Sequence, residues 1–139
     1  NSDVTEAIGR SIKNYLKWSD EFSDAFLFYD RNAQSLTEED RALVRDTWNM
    51  VVNFFEQLIR KGIRRGEFKV KHPLLLAHNI ASLGHVWGMR KWYLSKHYSL
   101  SDFTKKQIEM VMNSLIVVQN QGEKEQEKKT SKIHVKLAE

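Results

Sequence analysis

The 139 residues carry 41% hydrophobic and 29% charged side chains at a net charge of +4, ordinary values for one globular domain with a real core. With no cysteine, a disulfide framework, a thiol nucleophile and a thiolate metal site are excluded. No apolar run reaches membrane-span length and the opening NSDVTEAIGR has no signal-peptide core, so the chain reads as soluble.

A single proline, Pro73, and an absence of strand-like alternation predict an all-α chain, a bundle of about five helices. The first, over 3–16, has Val4, Ile8, Ile12, Tyr15 and Leu16 on one face. Ser19 stands where an N-cap is wanted, with Asp20 and Glu21 favouring the dipole of a second helix that runs to about residue 31. That helix is rich in aromatics. A third opens at Thr37-Glu-Glu-Asp40, a cap with an acidic first turn, and carries Leu43, Val44, Trp48, Val51, Val52, Phe55, Leu58 and Ile59 at helical spacing. Gly62 and Gly66 mark its end, and Pro73 suits the first turn of the next.

Residues 72–94, HPLLLAHNIASLGHVWGMRKWYL, form a helix apolar almost all the way round, which demands cover on more than one side. Ala77, Ala81, Gly84 and Gly88 recur along it at spacings of four, three and four, a small-residue face that admits a close helix neighbour. Ser99 and Ser101 are alternative caps for a last helix bearing Phe103, Ile108, Val111, Met112, Leu115 and Val118. Residues 1–121 are expected to form the domain. Residues 122–139 are charged and repetitive, and are expected as a flexible tail. Lysines and arginines alternate with nearly as many acids, so the clusters at 61–65 and 128–132 read as a solvated face and a basic tail. The chain opens without Met inside a helical pattern, as a fragment of a longer protein would.

Catalytic and metal chemistry find little support. His78 and His85 lie seven apart but have no acidic neighbour at helical spacing, so neither a metal nor another cofactor is expected. KGIRRG at 61–66 lacks the Lys-Ser/Thr ending of a phosphate loop, and no nucleophile elbow occurs. Glu38, Glu39 and Asp40 are explained by capping and the helix dipole. The chain is not expected to be an enzyme.

The aromatic side chains are more suggestive. Each taken alone fits a core, yet together they describe an interior with flat walls of the kind that ligand pockets between helices use. The candidate ligand-binding residues are Phe22, Phe26, Tyr29, Trp48, Val52, Phe55, Ile80, Leu83 and Trp87. His78, Asn79, Ser82, His85, Asn49, Asn53 and Gln57 are candidate polar groups to orient a guest.

Three further pieces are Leu58-Ile-Arg-Lys-Gly-Ile-Arg-Arg-Gly-Glu-Phe68, the run from Pro73 to Ala77, and Trp87-Gly-Met-Arg-Lys-Trp-Tyr-Leu94 followed by Tyr98-Ser-Leu-Ser-Asp102. In their order and spacing they resemble the C-terminal, ligand-sensing domain of TetR-family transcriptional regulators, well over residues 50–116 and loosely before. His72 departs from the acidic residue that many members carry before the proline. The resemblance implies a cytoplasmic homodimer that joins its last two helices into a four-helix bundle. Its dimer interface would fall on Ala77, Ala81, Gly84, Gly88, Met112 and Leu115. It also implies a helix-turn-helix domain N-terminal to this chain, through which the parent protein binds operator DNA, with 3–16 as the connecting helix. The effector implied is small and hydrophobic, acyl-coenzyme-A-like, and acts by shifting the population of arrangements of that connecting helix. Arg41, Arg45, Arg64, Arg65 and Arg90 read equally as phosphate contacts and as solvated charges. The rival reading is a helical protein-interaction adaptor with no small ligand.

Overall fold

The structure, a computed structural model, describes residues 3–138, and their side chains except at 116–125. It contains α1 (Asp3–Glu21), α2 (Ser23–Arg31), α3 (Glu38–Arg64), α4 (Pro73–Leu94) and α5 (Leu100–Leu137), and no strand among the described residues. The all-α reading is correct. None of these helices is long and apolar enough to cross a membrane.

The organising element is α1. Val4, Ile8, Ile12, Leu16 and Ser19 follow one another at spacings of four, four, four and three, and all are buried. This stripe lies against α3, α4 and α5 at once. It also corrects the expected boundary, because α1 does not stop at Leu16 and Ser19 caps nothing. Ser19 continues the buried stripe instead, and its hydroxyl donates back to the Tyr15 carbonyl at 2.9 Å, which satisfies a polar group within the helix. The joint to α2 falls at Phe22, with no side-chain cap.

The other ends follow their sequence signals. Thr37 accepts from the Asp40 amide at 3.1 Å, and Ser99, rather than Ser101, accepts from the Asp102 amide at 3.1 Å. Pro73 occupies the first turn of α4, where its missing N–H costs nothing. At the end of α3 the Gly66 amide donates to the Ile63 carbonyl and the Glu67 amide to the Gly62 carbonyl, at 3.0 and 2.9 Å. This pair of bonds is a Schellman turn. It needs a left-handed residue, and Gly66 supplies it at φ 71°. The chain then doubles back so that the buried Phe68 ring covers Gly62 in the space a methyl would need. GIRRGEF is thus a self-contained stop that folds Phe68 onto the core.

α4 packs on α1, α2 and α3, which covers part of its apolar circumference and leaves Leu75, Val86, Trp92 and Tyr93 exposed. α5 contributes Phe103, Thr104, Val111 and Leu115 to the interior. The segment expected from 122 as a flexible tail is carried as the last turns of α5, with residues 126–138 exposed. Glu, Lys and Gln are good helix formers, so a charged composition that cannot make a core can still extend a helix already nucleated by one. Val118 and the expected boundary at 121–122 lie outside the described side chains.

Gly62→Ala is expected to force the Phe68 ring off the helix and to destabilise the domain by about 1–3 kcal/mol. Gly66→Ala meets no neighbour and should cost only the left-handed backbone penalty, about 1 kcal/mol. Urea unfolding of the two variants checks the order.

Candidate functional site

The closest helix contact is between α1 and α4. A Cβ placed on Gly84 would lie 2.6 Å from the Tyr15 ring carbon Cζ and would also strike the Ser19 hydroxyl. The backbone of α4 therefore touches α1 directly. Tyr15 uses that proximity to donate its hydroxyl to the Ala81 carbonyl at 2.6 Å. Burial pushes the Tyr15 phenol up to about 12, outweighing the opposing hydrogen bond with Ser19. One turn further along, the buried Trp87 indole donates Nε1–H to Asp20 Oδ1 at 2.8 Å, and Lys91 Nζ pairs with the same oxygen at 2.9 Å. Partial burial raises the Asp20 pKa, but the hydrogen bonds from Trp87 and Lys91 and the Lys91 charge outweigh it. The carboxyl is held below its ordinary 3.8.

The proposed ligand residues divide among three places. Val52, Phe55 and Ile80 are sealed in the core at 5% exposure or less, with Tyr15 edge-on to Phe55 at 5.9 Å. Half-buried Trp48 lies 6.2 Å from the His78 ring across the α3–α4 seam, and Leu83 packs against the same core. On the α2 side, Phe26 covers Gly88 and meets Trp18 at 5.8 Å and His85 at 6.4 Å. Phe22 is half exposed beside Trp18, and Tyr29 sits against Phe28. Trp87 belongs to the same core, turned onto Asp20 and onto Phe103 at 4.8 Å. A single aromatic box is therefore not assembled.

Nor do the proposed polar groups converge. Asn49, Asn53, Gln57, Asn79 and His85 are exposed, and Ser82 bonds back to the His78 carbonyl of its own helix. Arg41 and Arg45 reach Glu38, and Arg65 reaches Glu67. A surface hollow at the α2–α3 connection is lined by residues 30–35, one continuous stretch that includes none of the proposed ligand residues.

The residues expected at a dimer seam are packed within the protomer. Ala77, Ala81, Gly84 and Gly88 are buried inside the protomer, the two glycines under Tyr15, Ser19 and Phe26. Leu115 is fully buried, and Met112 packs toward Gly9 of α1. Small residues promise a close neighbour without saying which, and that neighbour is this chain's own α1 and α2. Left outward on α4 is another stripe, Leu75, Asn79, Val86 and Tyr93, all exposed, with half-buried Ser82 and Met89 among them. The roles of Trp18, Asp20, Lys91 and Phe68 emerge only in the fold.

Five helices packed around a central α1 define an all-α domain. The chain belongs to the family described as "Tetracyclin repressor-like, C-terminal domain", which matches residues 1–115. Among curated proteins it is similar to the HTH-type transcriptional regulator HbdR of Aromatoleum sp. (strain CIB), 23% identical over 101 residues. That alignment takes in 73% of this chain and 44% of HbdR, so the chain spans less than half the length of the relative. No solved structure matches it.

Two pH responses follow. The Asp20 carboxylate favours folding at neutral pH, and this is lost as pH falls below 3.8 toward its lowered value; Asp20→Asn should cost about 1 kcal/mol at pH 7 and progressively less as the pH drops below 3.8. For Tyr15 the sign is opposite. Its contribution is complete below pH 10 and disappears as pH rises toward about 12, so Tyr15→Phe should flatten the alkaline loss of stability. Chemical unfolding across both ranges, variant against wild type, measures each.

Proposed function

We propose that this is the effector-sensing and dimerising domain of a transcriptional regulator that binds operator DNA through a helix-turn-helix domain joined to α1. The observation that carries the reading is the seating of α1 between α3, α4 and α5, hydrogen-bonded to α4 through Tyr15 and Asp20. A helix held this way cannot stay still when α3 and α4 separate. A small hydrophobic effector, acyl-coenzyme-A-like, enters along the aromatic contacts of α3, α4 and α2, where Trp48, His78, Phe26 and His85 are half buried or exposed. Phe55 and Ile80 are sealed, so a guest that reaches them displaces side chains. The displacement moves α1 and with it the spacing of two DNA-binding heads, which half-sites about 34–36 Å apart would register.

The two-fold contact uses the outward stripe of α4, Leu75, Val86 and Tyr93, together with Met110 of α5, which is 54% exposed. Leu75, Ser82, Val86 and Met89 succeed one another at spacings of seven, four and three, a seam that a second copy meets with the same residues. The same stripe is what an adaptor would offer to a different protein, so its occupant decides between the readings.

Sedimentation of the protein should show a dimer, with Val86→Asp giving a folded monomer and Ala81→Leu disrupting the fold itself, because Ala81 is buried under α1. A dimer that survives Val86→Asp would exclude this seam, and a monomeric wild type would favour the adaptor. For the sensing step, native mass spectrometry of the full-length protein from its own host should reveal a bound hydrophobic molecule. Adding it should change operator affinity about tenfold, a usual allosteric coupling. Tyr15→Phe should reduce that change while leaving effector affinity within about threefold. Operator binding indifferent to every molecule recovered would overturn the sensing role.

A further inference from the structure

The family match ends at residue 115, and Leu115 is also the last described α5 side chain buried in the core. Beyond it α5 continues to Leu137. Where that extension points follows from three contacts. Phe103, in the first turn of α5, stacks on Trp87, whose indole reaches Asp20 near the end of α1. Ile108 and Met112 lie over Gly9, halfway back along α1. As α5 advances, its contacts retreat toward the start of α1, so the two helices run antiparallel. α5 thus leaves the core at the end where α1 begins. At 1.5 Å per residue, Lys128 to Lys136 stand about 20–32 Å beyond Leu115.

Those exposed turns are patterned. At about 100° per residue, Lys128, Lys129, Lys132 and Lys136 all fall within an arc of about 100°, while Glu127 lies on the far side. Among the described residues no carboxylate pairs with any of these four lysines. The two edges of that arc hold Ile133 and Leu137 on one side and Val135 on the other, exposed at 58%, 81% and 61%. Three scattered aliphatic side chains without an aromatic anchor make a poor membrane face. Lysine ammonium groups on a straight rod, by contrast, match a regular row of phosphates.

We infer that the lysine face of the α5 extension contacts the sugar-phosphate backbone of duplex DNA, adding sequence-independent affinity to the regulator. This rests on the reading that a DNA-binding domain is joined through α1, which places the duplex at the end of the bundle to which α5 projects. The lysines are spaced to meet phosphates and carry no base readout, so they would strengthen binding to any duplex.

The test uses full-length protein and two duplexes, operator and scrambled, titrated across a range of salt. The variant replaces Lys128, Lys129, Lys132 and Lys136 with Gln, and a second replaces them with Arg. Removing one lysine–phosphate pairing lowers the slope of log affinity against log salt by about 0.9. The Gln variant should lose about one unit of slope or more on both duplexes, and the Arg variant should keep the wild-type slope. A Gln variant whose slope changes by less than about half a unit overturns the inference while leaving the regulator reading intact. A wild type that binds neither duplex fails that reading itself, and the inference with it. Weakened binding to anionic vesicles, with DNA slopes unchanged, would assign the face to membranes and overturn the proposal.

Discussion

The structure depends on how closely α1 can approach α4. At Gly84 α4 presents no side chain of its own, and the Tyr15 and Ser19 side chains of α1 fill the space a Cβ would take. That approach brings the Tyr15 hydroxyl onto the Ala81 carbonyl and sets Asp20 within reach of both Trp87 and Lys91. Without it the polar groups of α1 would be buried without partners, at a cost of about 1–3 kcal/mol each. Close packing and hydrogen bonding are therefore one event, and each fixes the register of the other.

A seam of this kind also suits a helix that must report on its surroundings. α1 is gripped on three sides, and its two polar anchors both lie on α4. Apolar contacts slide at modest cost, whereas a buried hydroxyl and a charge-assisted carboxylate hold their donors and acceptors within narrow distances. The grip is accordingly stiff along α4 and more compliant toward α3 and α5.

Much of this was legible in sequence. Helical periodicity located all five elements, and Thr37, Ser99, Gly66 and Pro73 marked their ends through chemistry that acts within a few residues. The resemblance carried by GIRRGEF and the following helix led to the right family. The partner of the small-residue face was not legible. Ala77, Ala81, Gly84 and Gly88 look alike whether they meet another subunit or the same chain, since the pattern records only the width of the gap. Ser19 misled for a related reason, because a serine that caps a helix and a serine that bonds back within one differ only in what the next turn buries.

By itself the sequence determined the properties that arise from neighbours along the chain: the helical elements, the caps at Thr37 and Ser99, the Schellman stop at Gly66, and an α4 apolar on nearly every side. Tertiary structure alone decided what does the covering. It spent the small face on α1 and α2, divided the aromatics among three neighbourhoods instead of one box, and left Leu75, Val86 and Tyr93 outward on the same helix. The physical reason is that burial is non-directional. An apolar or glycine-lined face gains from any surface that excludes water and fits. Which surface reaches it first is settled by chain connectivity and by the few hydrogen bonds, Tyr15 to Ala81 and Trp87 to Asp20, that only one arrangement can make.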